Sequence, residues 1–450
     1  MPASRVGTPS GGGDGGWTAL LPTALGGLTL RGRAFLAAGV ATAGCSVVLG
    51  QRDLLRVAVL LLAVPVLSVL FVARARYRMQ LARTIWPARV SAGESSSVRL
   101  ELSNLSALPT GVLLAEETLP YVLGSRPRFV VDRLDSNGRA AVTYSVRSDV
   151  RGRWDIGPLR LRLSDPFGMC EVTRAFTATD PLTVVPAVHP LVPLRAAGHW
   201  RGAGDSVTRT AAAAGEHDLA TREYRHGDDL RRVHWRSTAR RGELMVRRDE
   251  QPHQMQATVL LDRRSVGHRG DGAASSFEWA VSAAASVSRL LVEAGYGVRL
   301  LTDEVHTGWT GREHAGGVGV LLDRLATVQL GAPSELAEAI GVLSKAGGDG
   351  LVIALLGEVG PDDVYPLAAL TRGGTAGVAL LLRTPTWTAL PPRRAAQVDT
   401  AAADAVSRLE GGGWSALRVD AGTSVPAAWQ QLVTRRAAQT SAGGAGRLAR

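Results

Sequence analysis

The sequence is poor in cysteine, lysine and aromatic residues. Its 450 residues include 2 cysteines, Cys45 and Cys170, and aromatic side chains make up 5% of the chain. Cys45 lies in an apolar run and Cys170 in a strand-like context, so neither a disulfide framework nor a metal-ligand spacing can be drawn from them. This usage fits a protein in a reducing cytosol.

The sequence also lacks several motifs of catalysis and nucleotide binding. No G-x-G-x-x-G fingerprint follows a strand-like run and no P-loop occurs, which argues against nucleotide cofactors. Asp165-Pro166-Phe167-Gly168 invites comparison with the Asp-Phe-Gly of kinases. Because no Gly-rich loop, strand lysine or H-R-D loop accompanies it, a turn that closes a strand is the better interpretation. The sequence therefore predicts no cofactor.

Positive charge exceeds negative charge, with a formal net charge of +11. The excess consists mostly of arginine, and arginine, alanine and glycine are all favoured by a GC-rich genome. A basic composition is therefore weak evidence for nucleic-acid binding, and it also suits a protein lying against an anionic inner leaflet. The length allows about two to four domains, and a hydrophobic share of 45% is enough to build their cores.

Two long apolar runs predict a transmembrane helical hairpin over residues 31–76. The runs cover residues 34–50 and 54–73, and both fall within the length of a spanning helix. A cleaved signal peptide is the main alternative for the first run. That run, however, ends without a good small-residue cleavage site, and a second apolar run follows at once. Residues 1–30, rich in Gly, Pro, Ser and Thr, are predicted to be a disordered tail.

Flanking charge predicts the orientation of this hairpin. The connecting turn is short and nearly neutral. The arginines stand on the outer sides of the hairpin: Arg31, Arg33, Arg74, Arg76, Arg78 and Arg83. The positive-inside rule then places both termini in the cytoplasm, at the cell (inner) membrane.

The middle of the chain, residues 84–190, predicts a β-sandwich-like domain. Apolar and polar residues alternate over residues 95–104, so that Val98, Leu100 and Leu102 share one face. Residues 139–146 and 158–165 repeat the alternation, and Asn137-Gly138 predicts a hairpin-type turn. Several short strands at this spacing are typical of an antiparallel sandwich.

Residues 255–436 predict an α/β domain, and residues 191–218, which follow the sandwich, are predicted to be a linker. Continuous apolar runs of the kind found in buried parallel strands alternate with helical periodicity. The strand-like runs are residues 257–262, 297–303, 351–357 and 376–382, and the helical ones are residues 277–295, 318–330 and 334–347. Residues 437–450 are predicted to be a basic disordered tail.

The first strand of this domain ends at Asp262, where it resembles the von Willebrand factor type A domain. That family carries D-x-S-x-S at the strand end, and its Asp and Ser side chains hold a divalent ion. Asp262 is kept, but Arg264 and Val266 stand in place of the two serines, and Ser265 is out of register. The resemblance therefore implies the fold without the metal site, with Asp262 paired to Arg263 or Arg264.

Between the linker and the α/β domain lies a signature segment, residues 219–252. Its core, REYRHGDDLRRVHWRSTARRGELMVRR, holds nine arginines, two histidines, a Trp and a Tyr. A short helix beginning at Asp229 would place Arg231, His234 and Trp235 on one side, and a strand is predicted from Glu243 to Arg247. The spacing of the histidines in this region, His217, His226 and His234, matches no metal pattern. No metal is therefore expected.

Four interpretations of this segment stay open. Arginines with a Trp or Tyr platform can bind nucleic acid, but no nucleic-acid fold surrounds them. His234, oriented by Asp228 or Asp229, could act as an acid/base on an anionic substrate. Arg, Trp and Tyr are also enriched at protein-docking surfaces. In the fourth interpretation the arginines and acids, Glu243 included, form a buried polar clamp. The candidate docking residues are Arg222, Glu223, Tyr224, Arg225, Gly227, Asp228, Arg231, His234, Trp235 and Arg240.

The segment resembles the signature of the bacterial family called domain of unknown function 58. Two upstream pieces also resemble that family, Arg151-Gly152-Arg153-Trp154 and Ser164 to Gly168. The resemblance implies a multidomain chain with a transmembrane hairpin, a β-sandwich-like domain and an α/β type A-like domain. Members are commonly encoded beside a MoxR-type AAA+ ATPase and transglutaminase-like membrane proteins.

The function implied is that of a non-enzymatic, membrane-anchored scaffold or adaptor in the cell envelope. It would dock a partner, a MoxR-type AAA+ ATPase, at the cytoplasmic membrane face, and no nucleic acid is expected among its partners. The alternative is an enzyme that acts on an anionic, envelope-linked substrate with His234 as acid/base.

Overall fold

The fold is described from a computed structural model, and its residues fall into two units. The described residues are 5–7, 27–74, 79–107, 109–164, 167–193, 221–223, 235–247, 255–302, 317–332, 335–345, 350–373 and 375–445. The first unit is Met1–Val185 and the second is Pro186–Arg450.

The first unit begins with two apolar helices, α1 (Leu30–Leu49) and α2 (Arg52–Arg74). Within the described part of the chain, these two are long and apolar enough to cross a membrane. Thr29 caps α1 by accepting a hydrogen bond from the Gly32 backbone N–H, so the helix begins before the predicted apolar run. The predicted pair of apolar helices is confirmed.

Eleven strands of the described residues build the remainder of this unit. They are β1 (Arg5–Gly7), β2 (Met79–Trp86), β3 (Arg89–Ser91), β4 (Ser95–Asn104), β5 (Leu113–Glu117), β6 (Arg128–Val131), β7 (Arg139–Arg147), β8 (Gly152–Ile156), β9 (Leu159–Ser164), β10 (Glu171–Phe176) and β11 (Asp180–Val185). Two sheets are antiparallel, β1-β2-β4-β7 and β10-β9-β5-β6, and a third has the order β3-β11-β8. One hydrophobic core joins all three.

The strand predictions hold where alternation is strict. Val98, Leu100 and Leu102 are buried along β4 as predicted. The Asn137-Gly138 turn is present, with Asn137 in the left-handed region at φ 57°. The hairpin prediction is wrong, because β6 and β7 on either side of this turn belong to different sheets.

The structure also differs from the sequence-based prediction at Arg5–Gly7. These residues fall in the predicted disordered tail, yet they extend a sheet edge by pairing with residues 81–83 of β2. Backbone hydrogen bonds to an existing strand require little of the side chains. A composition rich in glycine therefore does not prevent this pairing.

Arg83 lies inside the core of this unit rather than beside the helix ends. It is 2% exposed, and it bonds Glu117 at 2.7 Å and Asp180 at 2.8 Å. Burial alone would lower the pKa of Arg83, but Glu117 and Asp180 outweigh this and raise it. Its charge is neutralised within the protein, so it adds nothing to the flanking charge of the helices.

The second unit opens with β12 (Thr221–Glu223), α3 (Trp235–Arg241) and β13 (Met245–Arg247). An α/β array follows: β14 (Gln256–Leu261), α4 (Ser276–Glu293), β15 (Gly297–Leu301), α5 (Gly317–Thr327), α6 (Glu335–Lys345), β16 (Leu351–Leu356), α7 (Pro361–Ala369), β17 (Ala376–Leu382), α8 (Pro392–Gly411), β18 (Ser415–Val419) and α9 (Val425–Ala445). The predicted α/β domain with a parallel sheet is confirmed, with the strand order β15-β14-β16-β17-β18.

Helices cover both faces of this sheet. On one face α4, α5 and α9 share a core with Val259 and Ile353, and on the other α6, α7 and α8 share a core with Leu260 and Ala354. Successive strand residues point to opposite faces, which explains why these strands are continuously apolar. Helix α9 runs to Ala445, into the predicted tail, because its alanine-rich end favours helix.

Candidate functional site

The topology of the parallel sheet marks one place for a site. From β14, the first strand, the chain passes to β15 on one side and later to β16 on the other. In open α/β sheets, ligands bind outside the carboxyl ends of the strands where the order reverses in this way. Asp262 follows β14 there and Glu358 lies just beyond β16.

Asp262 and Arg264 fill this place with an ion pair. Arg264 Nε donates to Asp262 Oδ1 at 3.0 Å and its Nη2 to Oδ2 at 2.9 Å. Its Nη1 reaches Asp363 Oδ2 at 2.9 Å. Burial alone would lower the pKa of Arg264, but the bonds and charges of Asp262 and Asp363 raise it. The predicted pairing of Asp262 is confirmed for Arg264.

His268 closes the inner side of the same cluster. Its Nε2 lies 2.8 Å from the Asp262 carbonyl oxygen and its Nδ1 lies 3.2 Å from Ser276 Oγ. A carbonyl oxygen accepts, so the proton is assigned to Nε2. The ring is 5% exposed and packs edge-on against Phe277. Burial lowers the pKa of His268, which keeps the ring neutral as a structural group.

Glu358 lies at the centre of a second, more exposed group of side chains. Its Oε1 accepts a hydrogen bond from Thr384 Oγ1 at 2.6 Å, and its Oε2 accepts one from Arg394 Nη2 at 3.2 Å. Arg269 Nε lies 3.2 Å from Oε1. The side chains of Arg394 and Glu358 are 54% and 12% exposed. In this group the Arg394 guanidinium is exposed to solvent, while the Glu358 carboxylate that it neutralises is largely buried.

The arrangement is better suited to linking the segments that follow the carboxyl ends of the strands than to chemistry. The Asp262, Glu358 and Asp363 carboxylates each accept from guanidinium or hydroxyl groups within the chain. Among the described residues there is no group of three His, Cys, Asp or Glu side chains that could hold a metal ion. A guanidinium occupies the position next to Asp262 that a ligand cation would need.

The two ends of the signature segment pair with each other. Arg222 lies opposite Val246, and Glu223 lies opposite Met245, in the antiparallel β12–β13 ladder. Thr238 Oγ1 on α3 accepts a hydrogen bond from the Met245 backbone N–H at 3.0 Å. These contacts fix helix α3 against β13, and the predicted strand near residues 243–247 is confirmed.

Trp235 begins α3 and is 71% exposed. Arg240, at the other end of the helix, is exposed as well. The described part of this helix begins at Trp235, so the prediction that one helix carries Arg231, His234 and Trp235 stays a prediction. The remaining candidates lie outside the described residues: Tyr224, Arg225, Gly227, Asp228, Arg231 and His234.

Two interpretations of the segment can be compared with these positions. Glu243 is exposed, so its predicted place in a buried polar clamp is wrong. The enzymatic hypothesis requires His234 beside Asp228 or Asp229 in an open cleft. All three residues lie outside the described residues, so that hypothesis stays a prediction.

The sequence-based prediction missed Glu358, Asp363, Thr384 and Arg394. Glu358 and Thr384 could have been found, because each lies just beyond a strand-like apolar run, where sites of parallel sheets occur. Asp363 and Arg394 lie on helices, and only the three-dimensional structure brings them to the cluster.

Comparison with known proteins gives a family match and one weak relative. Residues 220–421 match the family described as "Protein of unknown function DUF58". The chain is 24% identical over 237 residues to the uncharacterized protein YeaD of Bacillus subtilis, which covers 49% of this chain and 55% of the relative. The alignment thus spans about half the length of each.

Solved structures resemble only parts of the chain. The CARDB domain of the PF1109 protein of Pyrococcus furiosus has 10% identity and a TM-score of 0.15, with 21% of this chain and 86% of that chain covered. The ASH/PapD-like domain of human CEP192 has 16% identity and a TM-score of 0.14, with 22% and 82% covered. Likeness at this level supports no assignment of function.

Proposed function

From the match of residues 220–421 to the DUF58 family, we propose that this protein is a non-enzymatic, membrane-anchored adaptor. It docks a protein partner through the signature segment, and its α/β domain is of the von Willebrand factor type A kind without the metal site. The observation that carries the proposal is the placement of Trp235, which is 71% exposed on a helix fixed by the β12–β13 pair. Exposed tryptophan beside arginine is typical of binding hot spots.

The closed edge of the parallel sheet supports a non-enzymatic role. Arg264 fills the switch point between β14 and β16 with bonds to Asp262 and Asp363. A substrate or metal ion would have to displace a buried ion pair, and the charge left behind would be costly. Docking on an exposed surface needs no such displacement.

The two apolar helices support anchoring in the membrane. Helices α1 and α2 satisfy the length and composition of spanning segments, and arginines stand on their outer sides. By the positive-inside rule, we propose that both termini and the α/β domain are cytoplasmic, at the cell (inner) membrane.

Charge favours an acidic partner surface. Arg240 and Arg241 are exposed at the end of α3, and a row of cations attracts a surface of opposite sign. The family resemblance implies a MoxR-type AAA+ ATPase as that partner. The proposed complex joins such an ATPase to the membrane through Trp235 and these arginines.

Cross-linking followed by affinity capture from native membranes tests this proposal. We compare the wild type with Trp235→Ala and with the matched control Trp86→Ala, since Trp86 is 70% exposed in the other unit. The wild type and Trp86→Ala are expected to capture an AAA+ ATPase identified by mass spectrometry, and Trp235→Ala to lose it. Equal capture by all three proteins, or no ATPase with the wild type, would contradict the proposal.

A further inference from the structure

Residues 167–170, which precede β10 in the connection from β9, lie against the start of α1 and are called the tip here. We infer that this tip is a membrane-contacting element: Phe167 inserts among the phospholipid headgroups of the bilayer that α1 and α2 span. The inference rests on the proposed membrane anchoring and adds to it a lipid-binding surface on the strand-rich part of the chain.

Helix length fixes the depth of the first turn of α1. The helix has 20 residues, which at ~1.5 Å per residue gives about 30 Å. The hydrocarbon core of a bilayer is about 30 Å thick, so α1 has no spare length. If it spans, Leu30 must lie close to the hydrocarbon boundary, and the exposed Arg31 and Arg33 lie within reach of lipid phosphates.

Hydrogen bonds hold the tip at that same depth. The Thr29 backbone N–H donates to the Met169 carbonyl oxygen at 2.9 Å, and Thr29 Oγ1 donates to the Gly168 carbonyl oxygen at 2.7 Å. Glu171 N–H donates to the Gly27 carbonyl oxygen at 2.8 Å. Two residues just before the helix start, Gly27 and Thr29, are therefore tied to the tip and to Glu171 that follows it.

Packing adds a second, independent restraint. Gly32 lets the tip approach closely, because a Cβ there would overlap the Met169 carbonyl oxygen. Cys170 forms a buried cluster with Leu28 and Val69, and Leu36 packs against it. Leu36 lies six residues into α1, so the contact extends beyond the helix start toward the bilayer.

The exposed chemistry of the tip suits the headgroup region. Phe167 is 62% exposed, and aromatic side chains are found at the boundary between headgroups and acyl chains. The Gly168 and Met169 carbonyl oxygens accept from Thr29. Satisfying these backbone groups internally lowers the cost of taking them out of water.

Site-directed spin labelling of the full chain measures the depth of this tip. The protein is reconstituted into nanodiscs of phosphatidylethanolamine and phosphatidylglycerol, and each label reports its collision rates with oxygen and with a water-soluble nickel chelate. Labels at Phe167→Cys and Tyr121→Cys are compared in a Cys45→Ala background. Cys170 is 0% exposed and stays in place, because a fully buried thiol does not react with the label.

Tyr121 is the matched control. It is 97% exposed and lies near the opposite end of β9, since Glu117 pairs with Leu159 while the tip follows Ser164. A label on the native Cys45, which is exposed on α1, reports independently whether that helix is in the bilayer.

The expected oxygen-to-nickel ratio at residue 167 lies between those at 45 and 121 and exceeds that at 121 severalfold. A ratio at 167 equal to that at 121, with residue 45 inside the bilayer, overturns this inference and leaves the anchoring intact. A water-exposed label at residue 45 would instead overturn the anchoring itself, and the inference with it.

Discussion

The Arg264 guanidinium grips both oxygens of the Asp262 carboxylate, at 3.0 Å and 2.9 Å. Asp262 is 1% exposed, so removing Arg264 would leave a buried negative charge without compensation. Breaking a buried pair from one side costs about 3–5 kcal/mol. We expect Arg264→Ala to lower the free energy of unfolding of the second unit by that amount, measured by denaturant titration of the detergent-solubilised protein.

The matched control is Arg289→Ala, which breaks the exposed Arg289–Glu293 pair on α4. Both of its side chains are 56% exposed, and such surface pairs contribute about 0–1 kcal/mol. Arg264→Lys should fall between the two alanine variants, because a lysine cannot bond both carboxylate oxygens in the same geometry. If Arg264→Ala cost no more than Arg289→Ala, the pair would not be what holds this edge closed.

The Asp262–Arg264 pair also shows what can be predicted from the sequence. The two residues are neighbours on one loop, so the sequence alone suggested their contact. Asp363 is 99 residues from Arg264, and no local pattern places it there. For the same reason the Asn137-Gly138 turn was predictable, while the sheet that it leads into was not.

The elements that could be predicted are mainly those whose sequences contain long runs or regular patterns of apolar residues. The strands β14, β16 and β17 are buried on both faces, and their sequences stand out as unbroken apolar runs. The predicted elements omit α7, α8, β18 and α9. Helix α8 buries only Val398, Ala405 and Leu409, and Arg418 interrupts β18. Elements with few apolar residues give a weak periodic signal.

Stability should depend on pH through His268. Burial lowers the pKa of this histidine in the folded protein, whereas the unfolded chain takes up a proton near the ordinary value of about 6.5. The unfolded state thus binds more protons as pH falls, so the stability that the neutral ring supports is present above that pH and lost below it. We expect the free energy of unfolding to drop between about pH 7.5 and about pH 5.5.

The variant His268→Asn isolates this contribution, because asparagine does not titrate and keeps a donor and an acceptor. Its free energy of unfolding should be lower than that of the wild type at the higher pH but should change less with pH. An unchanged pH dependence in His268→Asn would mean that other groups are responsible for the effect.

Two glycines on different elements should respond to alanine with opposite signs. Gly377 lies in β17 beneath the indole of Trp414, and a Cβ there would overlap that ring. Trp414 is 2% exposed and has little room to move, so Gly377→Ala should destabilise by about 1–3 kcal/mol through overpacking. Gly341, within α6, has open space around it, so Gly341→Ala should stabilise by up to about 1 kcal/mol.

The denaturant midpoints of the two variants are compared with that of the wild type. A lower midpoint is expected for Gly377→Ala and a higher one for Gly341→Ala. A stabilising Gly377→Ala would show that the Trp414 side chain has another position available to it. A destabilising Gly341→Ala would show that α6 is packed more closely at that position than the structure indicates.

Ser286 should control the opening of residues 186–193, which lie against α4 and α9. Its hydroxyl accepts from the His189 backbone N–H at 3.0 Å and donates to the Ser282 carbonyl oxygen at 2.8 Å. Ser286→Ala removes the acceptor of that N–H. We expect the His189 amide to exchange its hydrogen about tenfold faster, equivalent to about 1.4 kcal/mol of local opening, as measured by hydrogen exchange.

Ser344→Ala is the matched control, since Ser344 makes the same type of bond to the Ile340 carbonyl oxygen within α6. Both variants lose a serine-to-helix hydrogen bond, but only Ser286→Ala removes a partner of His189. Faster exchange at His189 in Ser286→Ala alone therefore ties the effect to residues 186–193. Trp429 Nε1 still donates to the Val192 carbonyl oxygen at 3.0 Å in both variants. Exchange should therefore rise near residue 189 and stay slow around Trp429, whereas a uniform rise across the second unit would mean that Ser286 supports the whole helix packing instead.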